Sequence, residues 1–423
     1  MDKNRTTQCL FRSILGVVLL GLVLSPVYAA SLTLVQAEKA ALMQSPELKS
    51  FHARNHAIEA DAIAADQFAD PKLMLGTINV PVDSFNFDQE SMTQIQVGLV
   101  QTFPHGHSLH YKSLKKQFLA YSEFKKGQLS TAQILLELRV SWLNLYYWQH
   151  AKWIVFSQKR VFRHLVEVTE SMLANNKAQQ KDVIRAQLEL TNLDDELINI
   201  NQQIATSRAQ IARWIGPALA KKAQPNRLPH WSRLPNLANL QVKIKHHPEL
   251  GIDEAIISAN HAEMKFAQEQ YKPGFTVSAM YGFRQGDNFD GSKRSDFLTA
   301  QVSVDLPLFT HNRQDKVVKA SQENMLASEQ DKMSHYRQLN KLLSTQYATW
   351  QQQKKRVRLY QLKLIPESKQ YAQATLTAYQ NTLTDFPTLA RAYIRELNSE
   401  LGGLKSRVGQ STAFANLLYL QGK

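Results

Sequence analysis

The chain repeats itself, and that repetition limits its fold more than any single motif. "SPEL" at Ser45–Leu48 returns as "HPEL" at His247–Leu250, an offset of 202 residues. The same offset of 202 separates Pro71, which opens the strand-like run "DPKLMLGTINV", from Pro273 in "KPGFTVSAMYG". "QVGLVQTF" from Gln96 matches "QVSVDLPLF" from Gln301 at an offset of 205. "VIRAQ" near Ala186 matches "LARAY" near Ala392 at 206, and the closing glycines, Gly216 and Gly422, are also 206 apart. The offset grows mainly between the paired strands, where a loop tolerates an insertion. The plan of each half is short helix, strand, loop, strand, long helix, turn, long helix. The halves are expected to span residues 30–230 and 231–423.

Periodicity sets the element types. Strands are expected over about 72–80, 93–103, 274–284 and 297–306. Ile95, Val97 and Leu99 oppose Gln94, Gln96 and Gly98, and Leu298, Ala300, Val302 and Val304 oppose Thr299, Gln301, Ser303 and Asp305. This period-2 pattern gives each strand one apolar and one polar face. Long helices are expected over about 108–174, 180–215, 312–378 and 386–421. In the second of these, Val183, Ala186, Leu190, Leu193, Leu197, Ile200, Ile204, Ser207, Ile211 and Trp214 recur at steps of three and four without a break. In the last, Ala390, Ile394, Leu397, Leu401, Leu404, Val408, Ser411, Ala415 and Leu418 do the same. Strict 3.5-residue spacing marks a coiled-coil seam rather than a broad globular face. From Ser108 to Leu173 only Gly127 interrupts a proline-free run, which as one helix would span roughly 100 Å. Such a helix belongs to a rod or a tube. Its partner carries Pro366, which should kink it.

The N-terminus points to export. "MDKNRTTQCLFRSILGVVLLGLVLSPVYAA" has a basic start, the apolar run Ile14–Leu24 and a small-residue exit, so residues 1–29 read as a cleaved signal peptide. The only cysteine, Cys9, would leave with it. The exported chain then has no disulfide, no thiolate ligand, no cysteine nucleophile and no N-terminal cysteine to lipidate. Losing Lys3, Arg5, Arg12 and Asp2 lowers the formal net charge from +14 to +12. A basic balance fits nucleic acid, anionic lipid, anionic cargo or a solvated surface, and for an exported chain nucleic acid is not the expected partner. No other stretch approaches the length of a membrane helix.

Four short strands in such a chain pose an edge problem. In lipid, unpaired backbone groups cost several kcal/mol each, so a barrel must close. Strands of about ten alternating residues suit an outer-membrane barrel, but even small barrels need about eight strands. Strands facing lipid would therefore have to come from several subunits sharing one barrel, with the coiled helices continuing it as a tube.

These features together resemble the outer membrane factor family, the TolC-like channels of tripartite efflux and type I secretion systems. The resemblance covers about residues 31–423. It is carried by the paired "SPEL"/"HPEL" starts, by Pro71 and Pro273, by "DLPLFTHNRQDKVVKA" before the second long helix, and by "KDVIRAQLEL" after the first helical hairpin. "LPLFTHNR" and "LIPES" around Pro366 resemble the heavy-metal branch, of cobalt-zinc-cadmium and copper-silver type. The resemblance implies a mostly α, TolC-like homotrimer with a shared 12-stranded barrel, four strands per subunit, and a periplasmic α-helical barrel. It implies an outer-membrane location, a periplasmic adaptor, an inner-membrane pump of RND type, and passive conduction of metal or drug. The alternatives are a type I protein secretion duct and, in a different class, a periplasmic coiled-coil tether without a pore. No cofactor is implied.

The same resemblance places the gate at the hairpin tips, Leu173–Ala186 and Tyr379–Ala392. Family members usually carry a turn glycine followed six residues later by Asp-Val. Here Asp182-Val183 is kept, Asn176 replaces the first glycine, and Thr382 and Thr388 stand at the second pair of positions. Asparagine tolerates a left-handed backbone, so Asn176 fits the first turn, and Asn381 is expected to supply that conformation in the second. Pro387 is expected in the first turn of the following helix. In a trimer Lys181, Asp182, Arg185, Asp385 and Arg391 become rings of charge, and ion pairs among them are expected to hold the closed state.

Other chemistry finds little support. The sequence contains no GxSxG, HExxH, GxxxxGK[ST] or GxGxxG. Asp194-Asp195-Glu196 reads as a solvated helix face, and "WLNLYYWQHAKW" (Trp142–Trp153) as packing in the tunnel wall. The candidate metal ligands are His105, His107 and His110 in "QTFPHGHSLHY". The second half holds one histidine at the matching place, His311, opposite Gly106. Metal sites need convergent ligands. The stretch reads better as a joint between barrel and tunnel, with Pro104 ending the sheet, Gly106 turning the chain, Ser108 capping the helix and Pro307 as the second-half counterpart.

Overall fold

A computed structural model of the chain describes residues 32–231 and 234–423, so the expected leader and its Cys9 lie outside the described residues. The first half runs α1 (Leu34–Gln44), α2 (Pro46–Ala65), β1 (Lys72–Ile78), β2 (Gln94–Phe103), α3 (Ser108–Ala174), α4 (Gln180–Ile215) and the short α5 (Pro217–Lys221). The second runs α6 (Leu237–Ile244), α7 (Pro248–Glu269), β3 (Gly274–Phe283), β4 (Phe297–Asp305), α8 (Gln314–Leu359), a π-helical turn (Tyr360–Leu364), α9 (Ile365–Gln380) and α10 (Phe386–Tyr419). Among the described residues no helix is long and apolar enough to cross a membrane.

The "SPEL" and "HPEL" motifs are helix starts. Ser45 Oγ accepts the Leu48 N–H at 3.3 Å, and His247 Nδ1 accepts the Glu249 N–H at 3.3 Å. Pro46 and Pro248 follow, at the position where a missing N–H is harmless.

The helices form a wall four across. The 67-residue α3 and the stack of α8, the π-helical turn and α9 run its whole length, each about 100 Å. Near the sheet, α2 packs on one side of α3, and α7 fills the space between α3 and α8. Farther down, α4 takes over the place of α2, and α10 that of α7. Leu143, Val155, Phe162 and Leu165 of α3 form the lower core with Leu193 and Ile200 of α4 and Leu389, Leu397 and Leu404 of α10. Two smaller cores join α1, α3 and α4 around Trp142 and Trp214, and α6, α8 and α10 around Leu240, Leu343 and Leu417.

Pro366 does not break its helix. The backbone widens to a π turn just before it, in which the Ile365 N–H reaches the Tyr360 carbonyl. The extra residue relieves the clash a proline ring makes with the carbonyl one turn back. Facing this turn, α10 carries Gly402 and Gly403. A Cβ on Gly402 would lie 2.7 Å from the Tyr360 hydroxyl, and one on Gly403 2.8 Å from Ile365 Cδ1.

The four strands form one antiparallel sheet in the order β1-β2-β3-β4. Two hairpins meet at the β2–β3 pair, where Val97 faces Tyr281 and Leu99 faces Ala279. The two outer strands have no partner on their far sides among the described residues.

Candidate channel wall, joint and gate

The sheet sorts its side chains by face. The register puts Leu73, Leu75, Ile95, Val97, Leu99, Val277, Tyr281, Leu298, Val302 and Val304 on one side. Gln94, Gln96, Thr276, Ser278, Gln301, Ser303 and Asp305 stand on the other. None of the described residues covers the apolar side, where all ten of those residues are exposed. Aromatic rings mark both of its ends. Phe103 packs against Phe68 at 5.4 Å and Phe275 at 6.3 Å near the helices, and Tyr281 and Phe283 lie at the far end. An apolar band between two aromatic girdles is the signature of a strand surface facing lipid. Beyond the far end the two loops are latched together. Arg294 donates to the carbonyls of Asp88, Glu90 and Gln285 at 3.0–3.1 Å, and Arg284 to that of Ser91 at 2.9 Å.

The histidine-rich joint serves a structural purpose. Pro104, His105, Gly106 and His107 connect β2 to α3, and Gly106 turns the chain with φ at +46°. His105 Nδ1 lies 2.7 Å from the Lys272 carbonyl. The His107 N–H donates to Glu269 at 2.6 Å, and Lys272 Nζ donates to both carboxylate oxygens of Glu269 at 2.7–2.8 Å. Burial alone would raise the Glu269 carboxyl, but the Lys272 and His107 hydrogen bonds outweigh it and hold its pKa below the usual range. The end of α7 thus grips the start of α3. Ser108 does not cap α3 as expected. It is the helix's first residue, and the capping position falls to His107, whose side chain makes no cap bond. The three histidines do not converge, since His110 lies against the Tyr111 ring instead. Among the described residues no group of three or more His, Cys, Asp or Glu side chains could hold a metal. The second-half counterpart also shifts. Because Ser108 and Gln314 both begin their helices, His311 matches His105, and Arg313 matches His107. Pro307 follows β4 in the corresponding connector.

The two hairpin tips close with the same hydrogen bonds. Lys177 N–H bonds to the Met172 carbonyl and Asn176 N–H to that of Leu173, at 2.8 and 3.0 Å. Leu383 and Thr382 repeat this onto Ala378 and Tyr379, both at 2.9 Å. This is the Schellman end, with a left-handed residue just past the helix. Asn176 takes that place with φ at +56°, and in the second turn Thr382 takes it at +60°. Asn381 does not, contrary to expectation. Its backbone stays at φ −91°, and its side-chain amide donates to the Thr377 carbonyl. Asn381 lies one residue too early in the motif to be the left-handed one.

Each tip carboxylate starts a helix. Asp182 accepts the Gln179 N–H at 3.2 Å, and Asp385 accepts the Thr388 N–H at 3.0 Å. The Thr388 hydroxyl and N–H hold the Asp385 carboxyl below its usual range. Arg391 donates to the Thr388 hydroxyl at 3.0 Å, and Pro387 sits in the first turn of α10. Lys181, Asp182, Arg185, Asp385 and Arg391 make no ion pair with one another within the chain. Of the acidic run on α4, Asp194 pairs with Lys159 of α3. In the aromatic run, Trp142 and Tyr146 are buried while Trp153 is exposed.

Comparison with known proteins supports this geometry. Residues 239–422 match the model of the outer membrane efflux protein family. The outer-membrane protein VceC of Vibrio cholerae is 17% identical, with a TM-score of 0.77 over 92% of this chain and 96% of its own. The outer-membrane channel OprN gives 16%, 0.77, 92% and 89%. The open state of the Neisseria gonorrhoeae outer membrane channel MtrE gives 12%, 0.73, 92% and 88%. No curated protein matches the sequence. The fold is therefore TolC-like, mostly helical with a four-stranded sheet.

Proposed function

We propose that the chain is one subunit of a homotrimeric outer-membrane efflux duct. Its four strands contribute to a shared 12-stranded barrel, and its helices to a periplasmic tunnel. The observation that carries this reading is the sheet, which has an uncovered apolar face, aromatic rings at both ends and two unpaired edges. An isolated sheet with open edges is not viable in lipid, whereas three copies closing a barrel leave no edge. Exposed Ile184, Leu188 and Ile198 on the outer side of α4 supply apolar surface for the neighbouring wall. Conduction is passive. Energy and cargo selection come from an inner-membrane pump of RND type, reached through a periplasmic adaptor at the hairpin tips. The "LPLFTHNR" and "LIPES" segments favour the heavy-metal branch over drug efflux.

The gate lies at the tips. Asp182 and Asp385 each keep acceptor capacity beyond their capping bonds, so Lys181, Arg185 or Arg391 of a neighbouring subunit can pair with them. A threefold ring of such pairs closes the narrow end. The test is the purified protein in planar lipid bilayers. A stepwise conductance is expected, raised in Asp182→Ala and Arg185→Ala. No conductance would remove the duct reading, and unchanged conductance in both variants would remove the gate. Deletion followed by exposure to copper, zinc, cobalt and dyes separates metal from drug cargo.

A further inference from the structure

We propose that the β4 edge takes β1 of a second copy in one register, fixed by the chain's own repeat, with Val304 opposite Thr77 of the neighbouring copy. The proposal rests on the trimeric reading above and specifies its barrel seam.

The two hairpins are copies at the level of single residue pairs. In the first, Leu75 faces Val97. Adding the sequence offsets of the two strands, 202 and 205, gives residues 277 and 302, and Val277 faces Val302 in the second hairpin. The junction between hairpins can be carried forward in the same way. There Leu99 faces Ala279. Moving Leu99 on by 205 gives Val304, and the residue 202 before Ala279 is Thr77. The described residues form no third hairpin, so this Thr77 belongs to another copy.

Three observations agree with the register. The first is face. Thr77 and Val304 share the apolar side of the sheet, and continuing the pairing sets Leu75 opposite Leu306, the last position before the Leu308 N–H turns back onto the Leu306 carbonyl at 2.9 Å. A slip by one residue would set apolar-side residues against lumen-side ones. The second is exposure. Leu306, Leu308 and Phe309 are 67%, 73% and 85% exposed just beyond the last residue of β4, where β1 of the next copy would cover them. The third is charge. Within the chain, the joint closes where Glu269 and Lys272 of α7 and its connector meet His105 and His107. Shifted by 202 on the α2 side and by the helix offset of 206 on the α8 side, Gln67 and Asp70 of the next copy meet Arg313 and His311. All four are exposed in the single chain, and Asp70 and Arg313 are opposite in charge.

Cysteine pairs test the register directly, in a Cys9→Ser background that leaves no other thiol. Adjacent antiparallel pairs alternate between Cα separations of about 4.5 and 5.5 Å, both within reach of a disulfide. Thr77→Cys/Val304→Cys and Ile78→Cys/Ser303→Cys are therefore made together with a slipped control, Thr77→Cys/Val302→Cys. Oxidised outer membranes are expected to give covalent dimers and trimers on denaturing gels from at least one of the first two. The slipped control and the single variants should give little. If the control links as well as the predicted pairs, the register is wrong. The same follows if neither predicted pair links in protein that runs as a trimer on native gels, and the trimeric duct then stands without it. A monomer on native gels overturns both.

Discussion

His247→Ser should make the protein more resistant to acid. His247 caps α7, is only 1% exposed, and has the Tyr419 ring edge-on at 5.3 Å. Its Nδ1 accepts the Glu249 N–H, and its Nε2 is buried without a hydrogen-bond partner. Burial lowers its pKa to about 4. In the unfolded chain histidine titrates near 6.5, so as pH falls below that value the unfolded state takes up a proton that the folded state refuses. The stability given by the neutral ring is thus complete above about pH 6.5 and lost progressively down to about pH 4. For these two pKa values the loss is about 2 kcal/mol per subunit at pH 5 and about 3 kcal/mol at pH 4. Serine is the residue that caps α2 in the first half, so the variant keeps a cap and removes the titration. His335 shifts the other way, since its hydrogen bond to Asp253 raises its pKa. That contribution is present at low pH and lost as pH rises, and it is common to both proteins. The assay is urea unfolding of detergent-solubilised wild type and variant at pH 7.5 and pH 5. The variant should start weaker at pH 7.5, because a cavity replaces the ring, and should lose about 2 kcal/mol less on acidification. Equal acid losses in the two proteins would show that the buried ring is not what resists protonation.

The other expectations concern backbone and packing. Thr382→Gly should stabilise the second tip by about 0.5–1 kcal/mol, because a β-branched residue at φ +60° is strained while glycine is not. Slower amide exchange at Thr377–Leu383 checks it, and Asn176→Gly should change little. Gly402→Ala should cost about 1–3 kcal/mol in thermal stability, since its Cβ would meet the Tyr360 ring at 2.8 Å. Tyr360→Ala in the same chain should recover most of that loss, and a failure to recover would place the strain elsewhere. Glu269→Ala leaves the Lys272 ammonium and the His107 N–H without their shared acceptor, and should cost about 2–3 kcal/mol. Its local signature is faster protease cleavage near Gly106.

What the sequence makes legible is whatever follows a period. Each seam residue from Val183 to Trp214 is buried or half-buried, and the strand alternation reappears as the two faces of the sheet. These patterns survive because burying one face requires the same residue class at every step of the period. What the sequence hides depends on single contacts between segments far apart in the chain. The π turn before Pro366 has no local signal, because proline alone predicts a kink, and only Gly402 and Gly403 across the helix pair make room for the wider turn. Glu269 looks like any helix-end carboxylate until α7 brings it beneath His107, 162 residues away in sequence.

The tips show how far a family pattern carries. The left-handed position is set by the hydrogen bonds of the helix end rather than by the residue that tolerates it best, so Thr382 occupies it although Asn381 is adjacent. The two carboxylates first seen as gate charges have a local task at helix starts, Asp385 as the cap of α10 and Asp182 as the third residue of α4, bonded back to the Gln179 N–H. Removing either one therefore perturbs its helix by roughly 1 kcal/mol as well as the ring it would form in a trimer. Asp182→Asn separates the two effects, because the asparagine amide oxygen can still accept the Gln179 N–H but carries no charge. If the ring of charge holds the gate, Asp182→Asn should open the channel as Asp182→Ala does. If the bond to Gln179 alone matters, only the alanine variant should open.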